Sequence, residues 1–157
     1  MVKKRITTLK TIALPVLTGL LSGFLIRNDV GLYDVLIKPP FALPGKLFSV
    51  VWIVLFVMMG ISLSLFRSSV HNRTNNSEGW LYFFIQLALN FLWPILFFRF
   101  RLFFTAFLLV IFLFVFIALT VSTFYKANRI SGLLLIPYLL YTAYAGYLNL
   151  AIWILNM

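Results

Sequence analysis

Residues 108–116 read Leu-Leu-Val-Ile-Phe-Leu-Phe-Val-Phe, nine apolar residues in a row. They lie inside an uncharged run over residues 102–125, and about 20 apolar residues are enough for a helix to cross the roughly 30 Å hydrocarbon core of a bilayer. A membrane-spanning β-strand would alternate in character at every second residue, and this stretch does not. Because the bilayer core has no water to bond backbone polar groups, the run predicts a transmembrane helix.

The same pattern recurs along the chain. Further uncharged runs cover residues 11–26, 47–66, 79–98 and 130–157. The first run is short, but it reaches spanning length if it extends back to Ile6 while Lys10 snorkels to the interface. The basic start also resembles a secretory signal, but no small-x-small cleavage site follows it. We therefore predict one all-α domain over residues 1–157, an integral membrane bundle of five transmembrane helices near 6–26, 47–66, 79–98, 102–125 and 130–156.

The composition excludes several function classes. Of the residues, 63% are hydrophobic and 10% are charged, whereas a soluble domain has about 25% charged residues. An ordinary soluble enzyme and a disordered chain are therefore excluded. The chain has no cysteine, one histidine and three acidic residues, so we predict no metal site and no Ser-His-Asp arrangement. The net charge of +10 does not indicate nucleic acid, because the basic residues stand singly or in small groups between apolar runs.

The distribution of basic residues predicts the orientation in the membrane. With five helices, the N-terminal side collects eight lysine and arginine residues and the opposite side collects five. Cytoplasmic loops are enriched in these residues. We therefore expect a multi-pass protein of a bacterial cell membrane with a cytoplasmic N-terminus.

Two connections are longer than the others. Residues 67–78 form a polar loop that holds His71 and two matches to the glycosylation sequon, and we interpret it as a solvated loop. Residues 27–46 are partly apolar and contain three prolines and two glycines. Loops of this length without a disordered composition are usually functional. This segment is either a lid over a hydrophobic ligand or an interfacial loop that lies on the lipid headgroups.

Polar and aromatic residues share faces of three predicted helices. Gln86, Asn90 and Trp93 are spaced i, i+4, i+7, and Pro94 follows them, where it should bend the helix. Two further faces hold Trp52, Phe56 and Met59, and Tyr138, Tyr141, Ala145 and Asn149. Polar residues within a span usually face the bundle interior or a cavity. These residues either line a pocket or hold the helices together.

Three ordered motifs resemble a known family. The loop after the first helix leads into the second through Gly31-Leu32-Tyr33, Leu36-x-Lys38-Pro39, Pro44 and Val51-Trp52. The third helix contains Gln86-Leu87-Ala88-Leu89-Asn90-x-x-Trp93-Pro94-x-x-Phe97-Phe98. The fifth contains Pro137-Tyr138-Leu139-x-x-x-Ala143-Tyr144-Ala145-x-x-Leu148-Asn149-x-x-Ile152-Trp153. Over residues 12–156 the chain resembles a bacterial-type member of the translocator protein or tryptophan-rich sensory protein family (TspO/MBR, the peripheral-type benzodiazepine receptors).

The resemblance implies a compact five-helix bundle, usually a homodimer, with a hydrophobic pocket under the first loop. Its implied ligands are protoporphyrin IX, haem-like tetrapyrroles and other apolar small molecules. Membrane lipid is a further expected partner, and no cofactor is obligatory. The residues implied to bind ligand are Tyr33, Pro44, Trp52, Asn90, Trp93, Tyr141 and Ala145. We add Tyr138, which lies one helical turn before Tyr141.

The resemblance also leaves three functions open. The first is a receptor or sensor for tetrapyrroles that acts in porphyrin or stress handling. The second is a light-dependent porphyrin-degrading enzyme, a chemistry attributed in some relatives to two pocket tryptophans, for which the candidates here are Trp52 and Tyr141. Tyrosine donates electrons less readily than indole, so Tyr141 favours the receptor over the enzyme. The third is a facilitator of porphyrin or lipid transport, without an intramembrane carboxylate for ion coupling.

Overall fold

The computed structural model describes residues 2–70 and 77–157, with side chains from residue 9 onward. The His71 loop and both sequon matches therefore lie mainly outside the described residues. The described helices are α1 (Val2–Leu25), α2 (Leu32–Val35), α3 (Gly45–Ser69), α4 (Ser77–Pro94), α5 (Phe103–Ala127), α6 (Arg129–Leu134) and α7 (Ile136–Leu155). A π-helical turn over Ile95–Arg99 continues α4.

Five helical segments form the membrane bundle. Within the described residues, four helical stretches are long and apolar enough to cross a membrane: Gly45–Ser69, Ser77–Arg99, Phe103–Ala127 and Arg129–Leu155. A shorter apolar stretch, Leu9–Leu25, belongs to α1. The prediction of an all-α, five-helix membrane bundle is thus confirmed. Helix α1 packs on α3, α5 packs on α4 and α7, and α6 joins α3 to α5.

Helices α1 and α3 approach each other at glycines. A Cβ placed on Gly60 would lie 2.5 Å from the backbone Cα of Ile12. One built on Gly19 would overlap the ring of Phe56. Small residues allow such approach between transmembrane helices, where van der Waals contact contributes much of the association energy. These two glycines therefore set the spacing of α1 and α3.

The helix that carries Asn90 changes its geometry after Pro94. The chain stays helical through Pro94 and then forms the π turn, in which Phe100 N–H donates to Ile95 O at 3.1 Å. Pro94 has no backbone N–H, so the regular bonding pattern cannot continue through it. π-helical turns occur frequently at functional sites. The turn holds Phe97 and Phe98 against Trp93.

The last predicted helix is divided in two. The Asn128 side chain caps α6 by accepting from Ser131 N–H at 3.0 Å, and Leu135 separates α6 from α7. Ser131 and Ser62 then join α6 to α3, since each Oγ donates to the other's backbone carbonyl at 2.7 Å. This buried pair fixes α6 against α3, and α7 then begins with Pro137 in its first turn.

Candidate ligand-binding site

A cavity of about 950 Å³ lies between α1, α3, α4 and the loop that precedes α3. Ligand pockets in proteins typically enclose about 300–1,000 Å³ and have mainly apolar walls. The cavity has this character, with apolar residues from each helix: Val16, Leu20, Phe24, Trp52, Ile53, Phe56, Trp93 and Phe98. Three of these lining residues, Leu20 and Phe24 on α1 and Ile53 on α3, have exposed side chains.

An aromatic cluster lies on and directly behind the inner wall of this cavity. The rings of Trp52 and Trp93 stack with centroids 6.3 Å apart and an interplanar angle of 27°. Tyr141 meets Trp52 edge-on at 5.8 Å, and Tyr138 meets it edge-on at 6.1 Å. Phe48, one helical turn before Trp52, contacts several of these rings. Such geometry suits contact with a flat aromatic molecule.

Two buried amides connect α4 to α7. Asn90 Nδ2 donates to Tyr138 OH at 2.7 Å, and Tyr138 OH donates to Gln86 Oε1 at 2.7 Å. Farther along, Trp93 Nε1 donates to Asn149 Oδ1 at 2.9 Å. These bonds match the interpretation of the polar face as an interhelical contact. Asn90 also lines the cavity, so both interpretations apply to it.

Two donors beside the aromatic cluster are unsatisfied. Within the described residues, Trp52 Nε1 and Tyr141 OH are buried and have no hydrogen-bond partner. A buried donor without an acceptor costs about 1–3 kcal/mol. The two rings contact each other, so both donors lie in the same region of the bundle. An acceptor on a bound molecule would satisfy them.

The loop over the cavity is attached to α7. Asn156, at the end of α7, accepts from Ile37 N–H and donates to Ile37 O, both at 3.0 Å. Tyr144 OH accepts from Leu43 N–H at 3.1 Å and donates to Phe41 O at 2.8 Å. Phe41 adopts a positive φ of 65° and is exposed. The loop is therefore held on one side by side chains while its other side borders the cavity.

Charged groups stand at the loop end of the cavity. Lys38 Nζ donates to the carbonyls of Tyr33, Asp34 and Leu36, at 2.8, 3.2 and 3.3 Å. Within the described residues Lys46 makes no such bond, although it also lines the cavity. Burial, followed by the neighbouring Tyr144 and Asp34, raises the pKa of the Tyr33 hydroxyl, so it stays neutral and donates to Leu43 O at 2.9 Å. Lys46 is thus a cation available to an acidic ligand group.

The structure brings together some of the predicted ligand-binding residues. Those on the cavity wall are Tyr33, Pro44, Trp52, Asn90 and Trp93. The three on α7 lie behind this wall: Tyr138 and Tyr141 contact Trp52, and Ala145 borders a separate void of about 20 Å³. Sequence reasoning missed Phe48, although its i, i+4 spacing to Trp52 indicated a shared face. No group of three or more His, Cys, Asp or Glu side chains lies together in the described parts of the chain.

The fold and the cavity define a class: a multi-pass helical membrane protein with an apolar chamber between its helices. Comparison with known proteins identifies the family within that class. The model of the TspO/MBR family matches residues 11–154, and the chain belongs to this family. The resemblance inferred from the three motifs is confirmed.

Curated relatives agree with this assignment. The tryptophan-rich protein TspO of Chlorobaculum tepidum is 36% identical over 124 residues, which cover 79% of this chain and 78% of that protein. Protein CrtK of Rhodobacter capsulatus is 31% identical over the same shares of both chains. The tryptophan-rich sensory protein of Cereibacter sphaeroides is 30% identical over 135 residues, or 86% of this chain and 82% of the relative.

Proposed function

We propose that this protein is a membrane receptor that binds tetrapyrroles, such as protoporphyrin IX or haem-like molecules, and other apolar ligands, and acts in porphyrin or stress handling. The observation that carries the proposal is the cavity of about 950 Å³ with Trp52 and Trp93 stacked on its wall. A flat macrocycle gains from offset contact with such rings. Membership of a family with members named tryptophan-rich sensory protein supports the sensory role.

The charges at the loop end of the cavity support an acidic ligand. Protoporphyrin carries two carboxylates on an otherwise apolar ring. Lys46 is the cation available to one of them, because the Lys38 ammonium is already bonded to three carbonyls. The ring would then extend between α1 and α3 towards Trp52 and Trp93. An exposed ion pair of this kind contributes less than about 1 kcal/mol, so it orients the ligand more than it holds it.

A titration tests the proposal. Protoporphyrin IX is added to the purified protein in nanodiscs, and tryptophan quenching and the porphyrin spectrum are followed in darkness and under illumination. We expect saturable quenching and no protein-dependent loss of the porphyrin spectrum in light. Lys46→Gln should weaken protoporphyrin but not its uncharged dimethyl ester. Quenching that does not saturate would refute the receptor.

The alternative, a light-dependent porphyrin-degrading enzyme, has one observation in its favour. Trp52 and Trp93 place two stacked indoles on the cavity wall, although Tyr141 takes the position of the expected second tryptophan. Protein-dependent loss of the porphyrin spectrum under illumination would favour the enzyme. A transport facilitator is the remaining alternative. Asp29 and Asp34 lie in the loop region and Glu78 in the first turn of α4, where none is placed to couple ions within the bilayer.

Location and assembly complete the proposal. The chain is a multi-pass membrane protein. We place it in a bacterial cell membrane with a cytoplasmic N-terminus, because the basic residues favour that side eight to five. We also propose a homodimer, for which α5 offers an exposed apolar face formed by Leu108, Ile111, Phe112, Val115 and Leu119.

A further inference from the structure

Phe48 occupies the middle of the aromatic cluster. Its ring centroid lies between 5.7 and 6.3 Å from those of four other aromatic residues: Tyr33, Trp52, Trp93 and Tyr141. All four are residues that the family resemblance assigns to ligand binding, whereas Phe48 is not. A side chain of the protein itself therefore occupies the space between the residues expected to hold a ligand.

Phe48 also separates two spaces. On one side is the open cavity of about 950 Å³ between α1, α3 and α4. On the other is the void of about 20 Å³ bordered by Ala145 and Asn149 of α7, which is too small for more than a single water. Residues that line both spaces are Tyr33, Phe48, Trp93 and Phe98. These four side chains form the partition between the open cavity and α7.

Phe48 is the least buried member of this partition, and its side chain makes no hydrogen bond. Tyr33 is held by a hydrogen bond to Leu43 O, and Trp93 by one to Asn149 Oδ1. Phe98 is buried in the π turn against Phe97. Phe48 has no polar atom, is only half-buried, and lies in the first turn of α3, next to the exposed Leu47. Its ring can leave by side-chain rotation without breaking a hydrogen bond.

The Phe48 ring also leaves two neighbouring hydrogen-bond donors without an acceptor. Trp52 Nε1 and Tyr141 OH belong to two of the rings that Phe48 contacts, and in the described residues neither donor has an acceptor. A phenyl ring offers no lone pair to either donor. An occupant with a flat face and an acceptor atom would keep the ring contacts and also satisfy the donors.

We propose that Phe48 is a displaceable partition that determines which ligands reach α7. A flat, multi-ring ligand replaces the Phe48 ring against Trp52, Trp93 and Tyr141, and thereby joins the open cavity to the space beside Ala145. A chain-like ligand has no face to replace those contacts and stays in the outer cavity. This inference rests on the proposed function and adds a specificity-determining residue to it.

Truncation of the ring tests the proposal. Phe48→Ala, its matched control Ile53→Ala and the wild type are titrated with protoporphyrin IX and with oleate, a chain-like ligand. Ile53 lines the open cavity from the same helix but is not among the residues around the void. A binding-competent state with the ring displaced would be a minor one, commonly 0.1–10% populated, and its population limits the apparent affinity. We expect Phe48→Ala to raise protoporphyrin affinity about tenfold or more and to change oleate affinity less than about twofold. Ile53→Ala should affect both ligands alike.

A ligand-independent measurement separates this inference from the proposed function. 4-Fluorophenylalanine at position 48 should show two exchanging ¹⁹F environments by saturation-transfer NMR in the free protein, and protoporphyrin should increase the minor one. A single ¹⁹F environment in the free protein would overturn the proposal that Phe48 is displaceable. So would a folded Phe48→Ala protein whose affinity for protoporphyrin is unchanged, or whose affinities for protoporphyrin and oleate rise equally. If no variant binds protoporphyrin, the proposed function fails, and the NMR of the free protein then decides whether Phe48 moves.

Discussion

Asn90 illustrates how one amide serves two purposes in this bundle. Its Nδ2 donates to Tyr138 OH at 2.7 Å, and its side chain also lies on the cavity wall. The hydrogen bond fixes the rotamer of Asn90, because Tyr138 is itself fully buried and bonded to Gln86. The interhelical contact therefore orients the amide that a ligand would meet.

The first prediction separates these two roles. Asn90→Ala should weaken protoporphyrin binding by up to about tenfold, because one good hydrogen bond contributes on the order of 1 kcal/mol. Its control is Tyr138→Phe, which removes the same interhelical bond, together with the one to Gln86, at a residue that does not line the cavity. Both variants should lower the thermal stability. If Asn90→Ala weakens protoporphyrin binding no more than Tyr138→Phe does, the Asn90 amide serves only as an interhelical contact.

The second prediction concerns light. If porphyrin breakdown needs an indole pair in the positions of Trp52 and Tyr141, the wild type should bleach porphyrin slowly or not at all. Tyr141→Trp should increase the rate, and Trp52→Phe should abolish what remains. Ring centroids of these two residues lie 5.8 Å apart, so a larger ring at position 141 stays in contact with Trp52.

The measurement for this second prediction is porphyrin absorbance under constant illumination, with affinity determined alongside because the added ring takes space. Trp93 is the informative control, since it stacks on Trp52 at 6.3 Å. Rapid bleaching by the wild type that Trp52→Phe leaves unchanged would contradict the prediction. If Trp93→Phe removes the bleaching, the indole pair that carries the photochemistry is Trp52 and Trp93.

At the scale of the helices, the packing of α1 on α3 forms one side of the cavity. Gly60 marks its tight end, against the backbone of Ile12, and Gly23 marks its open end, where a built Cβ meets nothing within 4 Å. The two helices are in tight contact at Gly60 and Gly19, whereas Gly23 lies on the cavity wall with open space beside it.

The third prediction follows from that difference. Gly60→Ala should lower the unfolding temperature in detergent, because over-packing costs roughly 1–3 kcal/mol when a backbone atom is in the way. Gly23→Ala should be neutral or stabilising, since alanine exceeds glycine by up to about 1 kcal/mol in helix propensity. Equal unfolding temperatures for the two variants would contradict the tight contact at Gly60.

The fourth prediction concerns the loop over the cavity. Asn156→Ala removes both bonds to Ile37 and should speed amide exchange at Ile37 and dissociation of bound protoporphyrin. Asn156→Asp is the matched control, because a carboxylate still accepts from Ile37 N–H but cannot donate to Ile37 O. We expect its exchange and dissociation rates to lie between those of the other two proteins. Unchanged rates in both variants would show that the hydrogen bonds of Tyr144 and Tyr147 hold the loop without Asn156.

The whole molecule presents large apolar side chains to its surroundings, as a protein surrounded by lipid must. Among the exposed large apolar side chains of α5, five follow helical spacing and share one face: Leu108, Ile111, Phe112, Val115 and Leu119. Because lipid tails are as apolar as these residues, the face is compatible with lipid or with a second copy of the chain. If the protein is the homodimer that we propose, a second copy of the chain covers this face.

The fifth prediction tests the dimer on that face. The chain has no cysteine, so Phe112→Cys introduces a single thiol that should form a disulfide-linked dimer under mild oxidation in nanodiscs. Leu140→Cys, equally lipid-accessible but on α7, should stay monomeric on denaturing gels. A monomeric mass in several mild detergents and in nanodiscs would contradict the homodimer.

Much of this fold follows from local properties of the chain. An uncharged run such as 102–125 must form a helix in a bilayer, because there is no other partner for its backbone groups. The face with Gln86, Asn90 and Trp93 turns inward because lipid cannot bond its polar atoms, and all three are buried. The number of spans, the class and the family are thus determined by the sequence alone.

Other features depend on contacts between residues far apart in the chain. That Asn90 bonds to Tyr138, that Asn156 bonds to Ile37, and that Phe48 fills the space beside Tyr141 are results of packing. The helical periodicity predicts the face on which a residue lies. It does not predict which side chain of a neighbouring helix contacts that residue. Where the helices separate enough to leave a cavity, and which ring closes part of it, depends on the joint fit of many side chains, and only the tertiary structure decides that.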